Sequence, residues 1–415
     1  MTQALQLADK KVTIMGLGLQ GGGVGVARYC ASHGAKVTVT DLKSAEQLSK
    51  SIKGLEEFES ITYRLGSHEL TDFTTADIVI KGPSVRWDNQ YIQAALDAGV
   101  YVTMETALFV THTKAKVVGI TGTRGKSTTT MMIYHALSAL YKMGTVYLAG
   151  NVPDTCALEL LDVATRDDIV VLELSSWQLS GFHQEHISPH IAVFTNFYPD
   201  HLNYYKTMSE YLHDKDAIFA YQKPGDVYID GRELPPGSHH AQNRACARAC
   251  CIAVLGEGCA DDIEKQLNDF KGLPFRQQLI GTYHKVQIIN DTTSTTPIAL
   301  ITALRTFTDK PIVLIMGGQA KNLPVDELIA EIRQHAQIRQ IFHMPGTFTD
   351  QVREKVGGEV YEDFTQLVQR SLQSADELHQ QCYLLFSPGA TSFAQFKNEF
   401  DRGQAFDKAI SAIIF

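Results

Sequence analysis

Short β-branched runs alternate with stretches of helical periodicity along most of the chain. KVTIM (11–15), KVTVT (36–40), DIVI (77–80), KVVGI (116–120), IVVLEL (169–174), IAVFT (191–195), VQIIN (286–290), PIVLIM (311–316), QIFHM (340–344) and YLLFS (383–387) read as strands. Most are near-continuous apolar runs rather than alternating ones, as expected of strands covered on both faces of a parallel sheet. Strands separated by helical patterns define an α/β chain with largely parallel sheets. Turn-rich breaks near AGVYVT and GLP divide it into expected domains 1–102, 103–272 and 273–415.

Composition narrows the partners. The 415 residues are 44% hydrophobic and 20% charged with a formal net charge of -9, which argues against a nucleic-acid surface or an anionic membrane as the main partner. No apolar run approaches the roughly 18 residues of a membrane span, and no basic start leads into an apolar stretch. A cytoplasmic monomer is expected. The seven cysteines read as reduced thiols. Cys246 and Cys250 stand one helical turn apart, downstream of His239 and His240, so a metal cluster competes with a core role. The spacing contains no CxxC pair, and the core role is preferred.

The first strand leads into GLGLQGGGVG, in which Gly16, Gly18 and Gly21 satisfy GxGxxG. Asp41 follows about twenty positions on, where a carboxylate often binds a ribose hydroxyl. A diphosphate cradle at a helix N-terminus is the functional reading, and close strand–helix packing the bland one.

A second glycine-rich turn, GITGTRGKSTTT (119–130), follows the strand KVVGI. Its spacing departs from GxxxxGK[ST], since Ile120 stands where the first glycine would fall. A strand delivering Gly122, Thr123, Arg124 and Gly125 to a helix that starts near Lys126 still aims backbone amides and the helix dipole at one anion. Lys126 reaches terminal phosphates, and the hydroxyl of Ser127 or Thr128 is a hard donor suited to Mg²⁺. ATP or another nucleoside triphosphate is the natural ligand. Glu173, near the end of a buried strand, occupies the usual position of a metal-binding carboxylate beside such a loop. Asp200 and His201 follow the next strand, and Lys215 lies in the helix after it.

TGTRGKST, ELSSWQLS, and NFYPDH followed fourteen residues after its histidine by Lys215 resemble the central domain of the Mur ligase family. GLGLQG, IVIKGPSV, METALF, GNV, NDTTSTTP, MGGQAK and SPGATSFAQFKNEFDRG extend the resemblance from end to end. It implies a Rossmann-like N-terminal domain, a P-loop-type central ATPase domain with a mostly parallel sheet, and a Rossmann-like C-terminal domain. It also implies ATP-dependent amide ligation through an acyl phosphate in peptidoglycan precursor synthesis. The branch most alike joins D-glutamate to UDP-N-acetylmuramoyl-L-alanine.

Under this resemblance the first glycine loop holds a UDP-sugar rather than a nicotinamide nucleotide, with Gly18, Leu19, Gln20 and Asp41 as contacts. Lys126, Glu173, His201 and Lys215 are the candidate catalytic residues, and Ser127, Glu173, His201 and Lys215 the candidate Mg²⁺ ligands. Lys215 corresponds to a lysine that carbon dioxide converts to a carbamate. Arg276, Asp291 and Asn243 match positions near ATP, Lys321 and Ser392 match positions for the glutamate carboxylates, and Asn151 and Thr295 are further substrate candidates. Ser392 is expected beside a helix N-terminus. The segment after Lys215 is short, so a small strand-rich accessory portion is expected to be missing. Two other readings are another Mur-type or polyglutamate ligase, and a nicotinamide-dependent oxidoreductase that leaves GKST, Glu173, His201 and Lys215 unexplained. Closure of the domains before chemistry is expected.

Overall fold

The computed structural model describes residues 5–19, 21–152, 155–201, 204–234, 239–321, 323–393 and 395–414. The chain forms two compact units, Met1–Phe270 and Lys271–Phe415. Gln20 lies outside the described residues, as do the side chains of His239 and His240.

The first unit holds two parallel sheets. One comprises β1 (Lys11–Met15), β2 (Lys36–Asp41), β3 (Thr62–Leu65), β4 (Ile78–Lys81) and β5 (Tyr101–Thr103), in the order β3-β2-β1-β4-β5. This is the doubly wound order, with its switch point between β1 and β4. The other comprises β6 (Lys116–Thr121), β7 (Val146–Gly150), β8 (Ile169–Glu173), β9 (Ile191–Phe194) and β10 (Val227–Asp230), in the order β10-β9-β6-β8-β7. Its central strand β6 has β8 and β9 as neighbours, so the loops leaving those three strands meet at one edge. A single apolar cluster runs from Val12 and Val37 of the first sheet through Leu108 and Phe109 to Val117 and Val170 of the second.

The second unit is one mixed sheet: β11 (Gln278–Tyr283), β12 (Val286–Asn290), β13 (Ile312–Gly317), β14 (Ile338–Met344), β15 (Glu359–Val360) and β16 (Cys382–Phe386). Its order is β11-β12-β16-β13-β14-β15, and β11 is antiparallel to β12.

Every strand run read from the sequence is present. The central strands β8, β13 and β16 are buried along their whole length. Each fully covered Val, Leu or Ile there contributes about 1.5–3 kcal/mol. Strands without an apolar run, such as β3 (TYRL) and β10 (VYID), stand at sheet edges, where one side has no strand neighbour. Among the described residues no strand lies between β10 and the helix His239–Leu255.

Six of the seven cysteines are buried, and Cys259 is half-buried. Cys246, Cys250 and Cys251 are fully covered in the apolar cluster under the helix His239–Leu255, and burial pushes their thiols above the ordinary value. Among the described residues no helix is long and apolar enough to cross a membrane.

Candidate active site

The loop between β6 and the helix Lys126–Leu140 packs closely against its neighbours through its glycines. Gly122 has φ 143° and Gly125 φ 79°, which disfavour a side chain. A Cβ at Gly122 would come 2.0 Å from Thr195 Oγ1, and one at Gly125 2.1 Å from Asn243 Oδ1. The end of β9 fixes the loop in place. The amide of Thr123 donates to Asn196 O at 2.9 Å and that of Arg124 to Asn196 Oδ1 at 2.9 Å. Thr195 Oγ1 and Asn196 Nδ2 in turn donate to the carbonyl of Arg124 at 2.7 and 3.0 Å. Thr195 and Asn196 were not legible as loop anchors, because only the adjacency of β6 and β9 gives them that role. Ser127 and Thr128 occupy the first turn of the helix.

Two lysines converge on this loop. Lys126 Nζ donates to the carbonyls of Gly122 and Thr123 at 3.0 and 3.1 Å. Lys215 Nζ donates to the same Gly122 carbonyl at 2.8 Å, from the helix Met208–Asp216 that Thr207 caps. Lys215 is 1% exposed. Burial, then the Lys126 cation, hold its amine well below the ordinary lysine value, against the opposing pull of Asp200 and Asp214.

Glu173 ends β8 and is buried, with Oε1 accepting from Asn151 Nδ2 at 2.9 Å. His201 takes a left-handed backbone (φ 54°), and its amide donates to Asp200 Oδ1 at 2.8 Å. Its ring lies 5.0 Å from that of Trp177. Burial lowers its pKa; Asp200 raises it, and the Lys126 and Lys215 cations lower it further. The structure thus brings Lys126, Lys215, His201 and Asn243 to the loop and pairs Glu173 with Asn151.

These residues suit ATP with Mg²⁺. Glu173 with Ser127 or Thr128 offers hard oxygen donors of the type that Mg²⁺ prefers. Among the described residues no group of three or more His, Cys, Asp and Glu side chains forms a complete metal cage.

In the N-terminal sheet, Gly18 N donates to Asp41 Oδ2 at 3.1 Å, while Asp41 Oδ1 accepts from Lys43 N at 2.9 Å. Asp41 therefore braces the glycine loop itself, and Leu19 beside it is 57% exposed. The helix Gly22–Ser32 begins directly after this loop.

In the second unit, Thr295, Lys321 and Ser392 lie in the loops that follow β12, β13 and β16, three adjacent strands. Lys321 Nζ donates to Thr295 Oγ1 at 3.1 Å. Asp291 is buried, accepting from Ser294 Oγ and Ser387 Oγ at 2.5 and 2.7 Å. Burial raises its pKa to about 6, against those hydrogen bonds and nearby Arg276. Arg276 is exposed. No helix starts at Ser392: the last helix begins at Glu399, where Asn398 Oδ1 accepts from Asp401 N at 2.8 Å. Ser392 offers its hydroxyl and a turn instead. Sequence reasoning also missed Arg402. Fully buried, it donates to Thr292 Oγ1, Thr292 O and Ala390 O at 3.0, 2.8 and 3.1 Å and ties the loops after β12 and β16 together.

A doubly wound sheet, a phosphate-loop sheet and a mixed third sheet, with a lysine pair at the phosphate loop, define an α/β phosphate-loop ligase. Residues 120–287 match the Mur ligase middle domain and residues 10–104 the Mur ligase MurD-like N-terminal domain. The UDP-N-acetylmuramoylalanine--D-glutamate ligase of Roseiflexus sp. (strain RS-1) is 33% identical, over 98% of this chain and 100% of that protein. The protein of the same name from Borreliella afzelii (strain PKo) is 31% identical, over 98% and 99%. The chain belongs to the Mur ligase family. The first alignment spans 476 positions, more than the 415 residues of this chain, so that relative carries insertions. MurF from Acinetobacter baumannii shares the fold at 13% identity, TM-score 0.55, over 98% of this chain and 93% of that one. A pseudomurein peptide ligase type C from Methanothermus fervidus shares it at 17% identity, TM-score 0.50, over 98% and 100%.

Proposed function

We propose that the protein joins D-glutamate to UDP-N-acetylmuramoyl-L-alanine at the expense of ATP, releasing ADP and phosphate, as a cytoplasmic monomer in peptidoglycan precursor synthesis. The observation that carries this reading is the pair of lysines on the Gly122 carbonyl beside a glycine phosphate cradle, in a chain whose full-length relatives bear that ligase's name.

In this reading residues 1–102 take the UDP-sugar through Gly18, Leu19, Gln20 and Asp41, and residues 103–272 take ATP. Residues 273–415 take the amino acid through Lys321, Thr295 and Ser392, with Arg276, Asp291 and Asn243 serving the nucleotide. Lys126 leaves the loop carbonyls for the γ-phosphate and lowers the repulsion met by the incoming carboxylate. The alanyl carboxylate oxygen forms a bond to γ-phosphorus as the bond to ADP breaks. The glutamate amine then attacks the acyl carbon and gives up one proton to water, and phosphate leaves with the bonding pair.

Lys215, whose amine burial holds well below the ordinary lysine value, attacks carbon dioxide in its neutral form. Its nitrogen forms a bond to carbon and loses a proton, leaving a carbamate. Ser127 or Thr128, Glu173, His201 and the Lys215 carbamate would hold Mg²⁺, which supplies charge neutralisation around the phosphates. Asn151 orients the Glu173 carboxylate through its 2.9 Å hydrogen bond.

The test is ADP release with UDP-N-acetylmuramoyl-L-alanine and each of D-glutamate, L-glutamate and diamino acids in turn. Stimulation by D-glutamate alone is expected. Equal or greater stimulation by another amino acid would redirect the assignment to another ligase of the family.

A further inference from the structure

The phosphate loop carries two cations, and the fold treats them differently. Lys126 turns back onto the loop carbonyls, whereas the Arg124 side chain is exposed. The backbone of Arg124 is immobilised by its amide bond to Asn196 Oδ1 and by two donors on its carbonyl. The point from which the guanidinium swings is therefore fixed, while the guanidinium keeps its freedom to meet a ligand.

An aromatic ring lies beside it. The guanidinium carbon lies 5.8 Å from the centre of the Tyr198 ring. Tyr198 is itself fastened to the phosphate loop, its amide donating to Thr123 Oγ1 at 3.0 Å and its carbonyl accepting from that hydroxyl at 3.2 Å. Two and three residues beyond Tyr198 come Asp200 and His201. Arg124 thus lies beside the loop that carries Asp200 and the candidate catalytic residue His201. A solvated surface arginine would need neither a locked root nor an anchored ring. A planar guanidinium presents paired donors that match phosphate oxygens, and an arginine supplied in cis accelerates phosphoryl transfer in other phosphate-loop enzymes.

We propose that Arg124 is a catalytic residue of the phosphoryl-transfer step, donating to the equatorial oxygens of the γ-phosphoryl group in flight, with the Tyr198 ring as the surface that positions it. The inference rests on the amide-ligase reading above. In this step the carboxylate oxygen supplies the pair for the new O–P bond, and the pair of the breaking P–O bond departs on ADP. No proton moves, and Arg124 forms no covalent bond.

Scrambling of oxygen-18 between the βγ-bridge and the β-nonbridging positions of ATP, with UDP-N-acetylmuramoyl-L-alanine present and no amino acid, reads this step alone. Arg124→Ala and Arg124→Gln are expected to slow both scrambling and kcat about 100-fold or more, with affinity for a non-hydrolysable ATP analogue changed less than about three-fold. Arg124→Lys should recover part of the loss, and Tyr198→Leu should lose about ten-fold. Unchanged scrambling in the alanine and glutamine variants would overturn the proposal. So would weakened analogue binding with kcat intact, which would make Arg124 a ground-state phosphate clamp. Absence of ADP release from the wild-type enzyme with UDP-N-acetylmuramoyl-L-alanine and any amino acid would instead remove the ligase reading, and this step with it.

Discussion

Lys126 and Lys215 donate to the same acceptor, the carbonyl of Gly122, at 3.0 and 2.8 Å. Two amines from different helices crowd one neutral oxygen, and burial together with the Lys126 cation lowers the pKa of Lys215. Conversion of Lys215 to a carbamate would reverse the sign of that contact and make Lys126 its counter-ion. Lys215→Ala is therefore expected to reduce ligation at least about 10³-fold, with partial recovery on adding short carboxylic acids that restore an oxygen donor. Steady-state ADP release measures both effects, and full activity of the unrescued variant would rule out the carbamate.

The same contact sets a pH dependence. Only the neutral amine reacts with carbon dioxide, and the folded-state pKa of Lys215 is depressed. The neutral form accordingly persists well below the ordinary lysine range and is lost as pH falls through the folded value. Activity should decline on the acid side, and added bicarbonate at constant pH should restore part of it. An acid limb indifferent to bicarbonate would point to another group.

Gly122→Ala tests the cradle. Its Cβ would stand 2.0 Å from Thr195 Oγ1 and 3.0 Å from Asn196 N, at a φ of 143°. The loop must shift away from β9, at a cost of about 1–3 kcal/mol in backbone strain alone. Affinity for an ATP analogue, measured by calorimetry, is expected to fall at least about ten-fold. Unaltered affinity would show that phosphate does not use this loop.

Asp291 predicts a stability effect in the second unit. Its pKa rises from 3.8 to about 6 on folding, so the folded chain holds a proton that the unfolded chain has released across that window. The stability it contributes is complete below about pH 4 and is lost as pH rises through about 6, a change of about 2–3 kcal/mol. Urea unfolding of wild type and Asp291→Asn at pH 4.5 and 7.5 should show the variant losing less over this interval. An equal loss in both would contradict the assignment.

The α/β class, the central strands, both glycine loops and the family resemblance are all local properties. Apolar runs such as IVLIM mark strands that need cover on both faces, and the GKST loop is defined by consecutive residues whose backbone does the binding. The edge strands β3, β10 and β15 carry no such run, because an edge buries less and asks less of its side chains. The last helix begins at Glu399, seven residues after Ser392, because the side chain of Asn398 accepts from the amide of Asp401 and caps it there, a choice that the residues around Ser392 do not reveal.

The sequence by itself determined which residue types sit at the carboxyl ends of which strands, since periodicity and turn chemistry act over a few neighbouring residues. Tertiary structure alone decided that Lys215, 89 residues after Lys126, reaches the same carbonyl, that Asn196 locks the amide of Arg124, and that Arg402 joins two loops. Those relationships depend on the strand order that sets β9 beside β6 and β16 beside β12. Hydrogen bonds and charge interactions act over a few ångströms of space, and the distance along the chain does not record them.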